Sequence, residues 1–440
     1  MAVRLVLYYK DMNTKLLIFG ITGDLSRRKL IPALERITEG GHCDNLEVIG
    51  VSRREVDVSM LIRDERLAAR TRVMQMDIAE EADYHRLKDE LALAEDEQLL
   101  IYLSVPPSAS GRIVQFLGKA GINTSRVKLM LEKPFGTDLE SARHMAEQIS
   151  EYFEDEAVYR IDHYLAKGMA QNIVAFRAHN ALFAHVWDNS AIEKIEVNAF
   201  ESIDIEGRAQ FYEQTGALRD LVQGHLMQLL SLTIMDIPGD MHWSQVSTRR
   251  LDALRQLQPV DTRAAIRAQY EGYQDEVENP GSAVETFVSI KLESGAPKWT
   301  GVPFYLTTGK ALSEKRTDIK IHFKKFHHAQ TNCLIFRIQP HEGIEIALNT
   351  LKPGYEYEHE ATLLSFKYPA EVVLPDAYEQ VLVDAIRGHK HIFTSNDEVI
   401  RSWEVLQPLV SAWAMHDSCD VVYQKGMSTE QVIALAKEQK

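Results

Sequence analysis

Residues 15–25 read K-L-L-I-F-G-I-T-G-D-L: a short apolar run, a turn held between Gly20 and Gly23, then Asp24 ahead of a helical pattern through Lys29, Leu30, Ile31 and Leu34. A strand that ends in a glycine turn and opens a helix is the first unit of a doubly wound parallel sheet. Such a sheet takes ligands at the carboxyl ends of its strands, where a helix N-terminus favours anions. Glycine suits the turn because a Cβ would hold the backbone away from a pyrophosphate. Gly20, Gly23, Asp24 and Leu25 are therefore candidate dinucleotide-binding residues, and Asp24 is placed to cap the helix. The spacing G-x-x-G departs from G-x-G-x-x-G, so the turn alone does not decide the matter.

Four further apolar runs follow at helix-length intervals, near residues 47–52, 72–77, 99–105 and 127–132. Five such runs predict a parallel sheet covered on both faces. The second ends in Ser52-Arg53-Arg54, where a site for unphosphorylated NAD usually has an acidic residue; Arg53 suits a 2′-phosphate and points to NADP, with NAD as the alternative. The fifth runs into E-K-P-F-G at 132–136, which aims Lys133 at the ligand crevice, and Asp138 should cap a helix over 139–153. We expect a dinucleotide-binding unit over 14–157, with the boundary near 155–160.

Beyond the boundary, R-I-D-H-Y-L-A-K at 160–167 packs four ionisable residues and a tyrosine into eight positions. Alternation would bury Asp162, and a buried carboxylate needs a partner. A helical pattern over 169–183 precedes alternating runs at 192–201, 285–294, 302–309, 318–323, 332–338 and 343–348. Their short spacing predicts an antiparallel meander, and helical patterns near 375–387 and 395–414 close the chain. The expected architecture is α/β followed by α+β: a Rossmann-like doubly wound sheet, then a unit over 158–440 with a large, mainly antiparallel sheet and helices. Within it, Leu218, Leu221, Val222, Leu226, Leu229 and Leu230 form an apolar stripe that predicts a buried helix over 216–236. Asp220 and His225 lie off that stripe, and Gly224 costs helix propensity beside His225.

The 440 residues exceed one ordinary core. A formal charge of −15 with no basic block argues against a nucleic-acid partner. Cys43, Cys333 and Cys419 are too scattered for a disulfide framework or a CxxC site, which fits a reducing cytoplasm. Residues 1–13 read as a poorly specified extension, too short in apolar run for a signal peptide, and no stretch approaches the roughly 20 apolar residues of a membrane span. His327-His328 and His389-x-His391 lack carboxylate or thiolate company, so no metal site is expected.

Six segments in order resemble the glucose-6-phosphate dehydrogenase family: G-I-T-G-D-L-S-R-R-K-L at the first turn, E-K-P-F-G at 132–136, R-I-D-H-Y-L at 160–165, G-A-L-R-D-L-V-Q-x-H-L at 216–226, V-P-F-Y-L-T-T-G-K at 302–310 and L-P-D-A-Y-E at 374–379. The resemblance implies oxidation of D-glucose 6-phosphate at C1 to the 6-phospholactone, with NADP or NAD reduced, in a homodimer or homotetramer built through the large sheet. It implies His225 as general base and Asp162 as its paired carboxylate. It gives His163, Tyr164 and Lys167 as the phosphate grip, Glu201 and Asp220 as acceptors for sugar hydroxyls, and Lys133, Lys310 and Lys315 as substrate contacts. Lys133 is expected to serve the cofactor too. The chain departs from the family at Ala166, Gly168 and Gly224, where Gly, Glu and Asn are usual. Another hexose phosphate or free hexose as substrate, and a catalytically silent NADP or sugar-phosphate sensor, are the competing expectations.

Overall fold

β1 (Asn13–Phe19) is buried on both faces, with Leu16, Leu17, Ile18 and Phe19 fully enclosed, which is the pattern of a central parallel strand rather than an edge. In the computed structural model, which describes residues 13–43, 45–325, 331–369, 371–415, 418–419 and 421–438, it pairs in parallel with β2 (Leu46–Ser52) and β4 (Glu97–Leu103). The extension at 1–12 and the pair His327-His328 lie outside the described residues. β3 (Thr71–Gln75) continues one side, and β5 (Val127–Leu131) and β6 (Val158–Ile161) the other. Each enclosed Leu or Ile contributes about 1.5–3 kcal/mol of burial. All five runs expected from the sequence are strands here, and the helix Leu139–Ser150 carries the Asp138 cap, with Ser141 completing a capping box.

The capping role expected of Asp24 is not what the structure holds. The chain is already helical at Asp24, because Arg27 N–H donates to Gly23 O at 3.1 Å; Leu25 begins the turn without a side-chain cap, and Asp24 pairs with Arg28 at 2.7 Å instead.

β6 sits in this first sheet although it follows residue 157, so the sheet continues past the expected boundary. Its outer edge is closed by a two-residue strand from far along the chain, β15 (Phe393–Thr394), antiparallel to β6. Arg250 fixes that strand. Its guanidinium is fully buried, pairs with Glu398 at 2.8 Å and donates to the carbonyls of His391 and Phe393 at 2.6 Å each. Removing one partner of such a pair costs roughly 3–5 kcal/mol, because the other charge is left buried alone.

The second sheet has nine strands among the described residues. Its order is β14 (His359–Lys367), β13 (Gly343–Leu351), β12 (Cys333–Gln339), β11 (Arg316–Phe323), β7 (Ile192–Phe200), β10 (Phe304–Gly309), β9 (Phe287–Leu292), β8 (Ile266–Tyr270) and β16 (Val421–Tyr423). A simple meander was expected. Instead β7 inserts between β11 and β10 and runs parallel to β10, because a long helical excursion separates β7 from the later strands and leaves it free to pair with two non-sequential partners. The strands β8, β14 and β16 were not anticipated.

The helix expected over 216–236 is continuous from Leu218 to Ile234, its first part, Leu218–Leu226, wound as a π-helix that passes into the α-helix Met227–Ile234. Gly216, with φ +63 and ψ 176, kinks the end of the preceding helix Ala209–Ala217. π-helical turns widen the spacing of side chains and are frequent at functional sites.

Candidate active site

Asp162 follows β6 at the carboxyl edge of the first sheet and is almost fully enclosed. Its Oδ1 accepts from Tyr164 N–H at 2.9 Å and faces His225 Nδ1 at 2.6 Å. Burial opposes the Asp162 charge, but the His225 imidazole and the Lys133 ammonium outweigh it and hold the carboxyl well below the usual range. Burial pushes His225 below its ordinary value while Asp162 pulls the other way. The pair therefore stands as carboxylate and neutral imidazole. Nδ1–H then donates to Asp162, and the Nε2 lone pair is left to accept a proton.

His163 and Lys133 flank the pair. The His163 ring lies edge-on to His225 at 4.5 Å and parallel to Tyr378 at 6.4 Å. Burial above all drives its pKa well down, so His163 is a neutral donor. Lys133, at the end of β5, donates to Asp220 O at 2.8 Å, and burial lowers its pKa. It reaches that carbonyl across Gly224, where a Cβ would stand 2.5 Å from Nζ. The π-helix thus receives the lysine in the space that a side chain at 224 would need.

Lys167 donates to Gln339 Oε1 at 2.9 Å, and Gln339 Nε2 donates to the Tyr164 hydroxyl at 3.2 Å and to Thr317 at 3.0 Å. Lys310 is buried and paired with Glu201. Lys315 is exposed at the start of β11, close enough to Lys167 for their charges to interact. The structure thus gathers Lys133, Asp162, His163, Tyr164, Lys167, Asp220 and His225 into one cluster, with Glu201 and Lys310 as a second pair at the ends of β7 and β10.

Three participants escaped the sequence reading. Gln339 ties Lys167 to Tyr164; the R-I-Q-P run at 337–340 was its only trace. Tyr378 packs on His163. Glu132, beside Lys133, is half-buried, receives the Tyr102 hydroxyl at 2.5 Å and is pushed up to about 7, chiefly by desolvation.

The nucleotide residues lie along the same carboxyl edge. Gly20 has φ +80, and a Cβ there would stand 2.2 Å from Ser104 O, so the turn closes only without a side chain. Gly23 N–H closes it onto Gly20 O at 2.9 Å, and the Ser26 hydroxyl donates to the same carbonyl. Leu25 is half-buried behind the turn, and Arg53 is exposed just past β2. A bare backbone turn at a helix start, with an exposed arginine one strand away, fits a dinucleotide pyrophosphate and a phosphorylated ribose.

A doubly wound sheet whose carboxyl edge meets a buried carboxylate and imidazole is the framework of a nicotinamide-dependent alcohol oxidoreductase. Residues 17–64 and 63–172 match the NAD binding domain of glucose-6-phosphate dehydrogenase, and residues 174–439 match its C-terminal domain. The chain belongs to the glucose-6-phosphate dehydrogenase family, and it is an oxidoreductase of glucose 6-phosphate with NADP as the usual cofactor. It is 34% identical to the glucose-6-phosphate 1-dehydrogenase of Dickeya dadantii, covering 93% of each chain, and 33% identical to that of Bacillus subtilis, covering 93% of this chain and 94% of the relative. A solved glucose-6-phosphate dehydrogenase in complex with its substrate glucose-6-phosphate superposes with a TM-score of 0.89 at 27% identity, covering 98% of both chains. The Mycobacterium avium enzyme gives 0.85 at 28%, covering 96% of both. Among the described residues no helix is long and apolar enough to cross a membrane.

Proposed function

We propose that His225 is the general base of this oxidation, taking the C1 hydroxyl proton of glucose 6-phosphate on Nε2 while Asp162 holds the imidazole by Nδ1 and stabilises the cation that forms. The observation that carries this reading is the 2.6 Å contact between the enclosed Asp162 carboxyl and His225 Nδ1. A neutral imidazole backed by a fixed carboxylate is the right acceptor near neutral pH. Lys167, Tyr164 and His163 hold the 6-phosphate as one cation and two neutral donors. Asp220, Lys133 and the Glu201 and Lys310 pair orient the sugar hydroxyls, and Lys315 adds positive field at the phosphate.

Gly20, Gly23, Asp24 and Leu25 would hold the dinucleotide pyrophosphate, Arg53 its 2′-phosphate, and Lys133 the end nearest the sugar. When bound, the nicotinamide supplies the acceptor for the hydride leaving C1. The exposed guanidinium of Arg53 favours NADP over NAD.

The chain acts in the cytoplasm, in keeping with its scattered cysteines. It works as a homodimer or homotetramer built through the large sheet, whose edge strand β14 exposes Leu364 and Phe366 on one face, with Leu348 of the neighbouring β13 beside them. An apolar face of that kind on an edge strand marks an association surface, and light scattering of the purified chain reads the copy number.

Mixing the protein with glucose 6-phosphate and NADP, and following the reduced nicotinamide absorbance, tests the assignment. Turnover that His225→Asn abolishes is expected; turnover that survives it removes His225 from the role. Glucose without its phosphate should lose a large part of kcat/KM, since a buried grip left unpaired is costly.

A further inference from the structure

The helix Gly168–His179 starts directly at Lys167, whose backbone is its N-cap and whose side chain supplies no capping bond. Gly168 contributes no side chain either. A carboxylate reaches this helix start from elsewhere: Glu342, in the turn between β12 and β13, accepts from Met169 N–H at 2.8 Å through Oε2. A Cβ built on Gly168 would point at that same oxygen from 3.3 Å. Glu342 thus occupies the place that a side chain at 168 would reach for.

The turn holds the site twice. Gln339 at its first position receives the Lys167 ammonium, and Glu342 three residues later anchors the backbone just past it. The charged groups facing Lys167 are Glu342 and Asp376 of opposite sign and Lys29 and Lys315 of like sign. Without Glu342, the ammonium would sit half-buried among two other cations with Asp376 as its one opposing charge in that set.

We infer that Glu342 is a positioning residue for substrate phosphate: from the β12 to β13 turn it docks the helix start that presents Lys167, in place of a carboxylate at Gly168. The inference rests on the reading of Lys167 as a phosphate ligand. A carboxylate at a helix N-terminus both satisfies a free N–H and opposes the positive end of the helix, so its loss lets the first turn fray and Lys167 move with it. The phosphate end of the substrate feels this displacement and C1 does not.

The test compares Glu342→Ala, Glu342→Gln and the double variant Glu342→Ala with Gly168→Glu, using glucose 6-phosphate and unphosphorylated glucose as substrates. Glu342→Ala should raise KM for glucose 6-phosphate about 10- to 100-fold with kcat within threefold, a range set by one lost charge-assisted contact. Its kcat/KM for glucose should stay within twofold. Glu342→Gln, which keeps the acceptor for Met169 N–H and loses the charge, should fall between wild type and Glu342→Ala. Moving the carboxylate to residue 168 should return KM to within threefold of wild type. Equal losses on both substrates, an unchanged KM for glucose 6-phosphate, or no rescue by Gly168→Glu would each overturn the inference. Lys167→Met separates the two layers. If it leaves KM for glucose 6-phosphate unchanged, the phosphate assignment itself fails; if it raises KM while Glu342→Ala does not, only the positioning role fails.

Discussion

His225 Nδ1 stands 2.6 Å from Asp162 Oδ1, although the two residues are 63 positions apart and arrive on different elements, one on a π-helix and one at the end of a parallel strand. Replacing His225 with Asn should lower kcat by about 10²- to 10⁴-fold, the usual worth of a positioned base. The dissociation constant for glucose 6-phosphate, read by calorimetry, should move less than threefold. A kcat near that of wild type would show that the proton leaves C1 by another route.

The same pair sets the acid limb of the pH profile. Burial lowers the His225 pKa below its ordinary 6.5 and Asp162 raises it, so kcat/KM should fall as pH drops through a value under 6.5. Asp162→Asn removes the raising influence, so the limb should move to lower pH while the plateau drops. A limb that moves to higher pH would mean that the carboxylate is not acting on the imidazole.

Arg53 stands exposed past β2, with no acidic residue at the end of that strand. Arg53→Ala should raise KM for NADP about 10- to 100-fold, the worth of one charge-assisted contact, and leave NAD within twofold. Equal losses with both dinucleotides, measured side by side, would take the 2′-phosphate away from this residue.

Gly224 gives Lys133 its seat. The atom that a new Cβ would meet is the far end of a flexible chain, so Gly224→Ala should fold, with a melting temperature within a few degrees of wild type. The displaced ammonium should instead raise KM for glucose 6-phosphate about 3- to 10-fold, the effect of disturbing one hydrogen bond. An unchanged KM would mean that Lys133 serves the site equally well from a second rotamer.

The legible parts of this molecule are those in which a few neighbouring residues dictate the outcome. Residues 15–25 specify a strand, a glycine turn and a helix by themselves, and Asp138 announces its helix. The four adjacent residues 162–165 place a carboxylate and its neighbours in one corner. What stayed hidden depends on distant partners. β15 is two residues long and exists only because β6 offers an edge and Arg250 holds its carbonyls. β14 is exposed almost throughout, so H-E-A-T-L-L-S-F-K shows no alternation to read. Gln339 and Glu342 matter through contacts with Lys167 and Met169, more than 170 positions earlier. The π-helical winding at 218–226 has no local sequence signature.

The strand that closes the first sheet also sets an order of events on the ribosome. The nascent chain emerges with β6 bare along its outer edge, and that edge stays bare until the chain has grown to Phe393 and Thr394. Until then, an open strand edge borders a carboxylate whose imidazole partner also comes later, and both are liabilities in water. A product cut short ahead of residue 393 should therefore present an aggregation-prone edge beside Asp162 itself, so that surveillance by proteases and chaperones meets unfinished molecules at that corner.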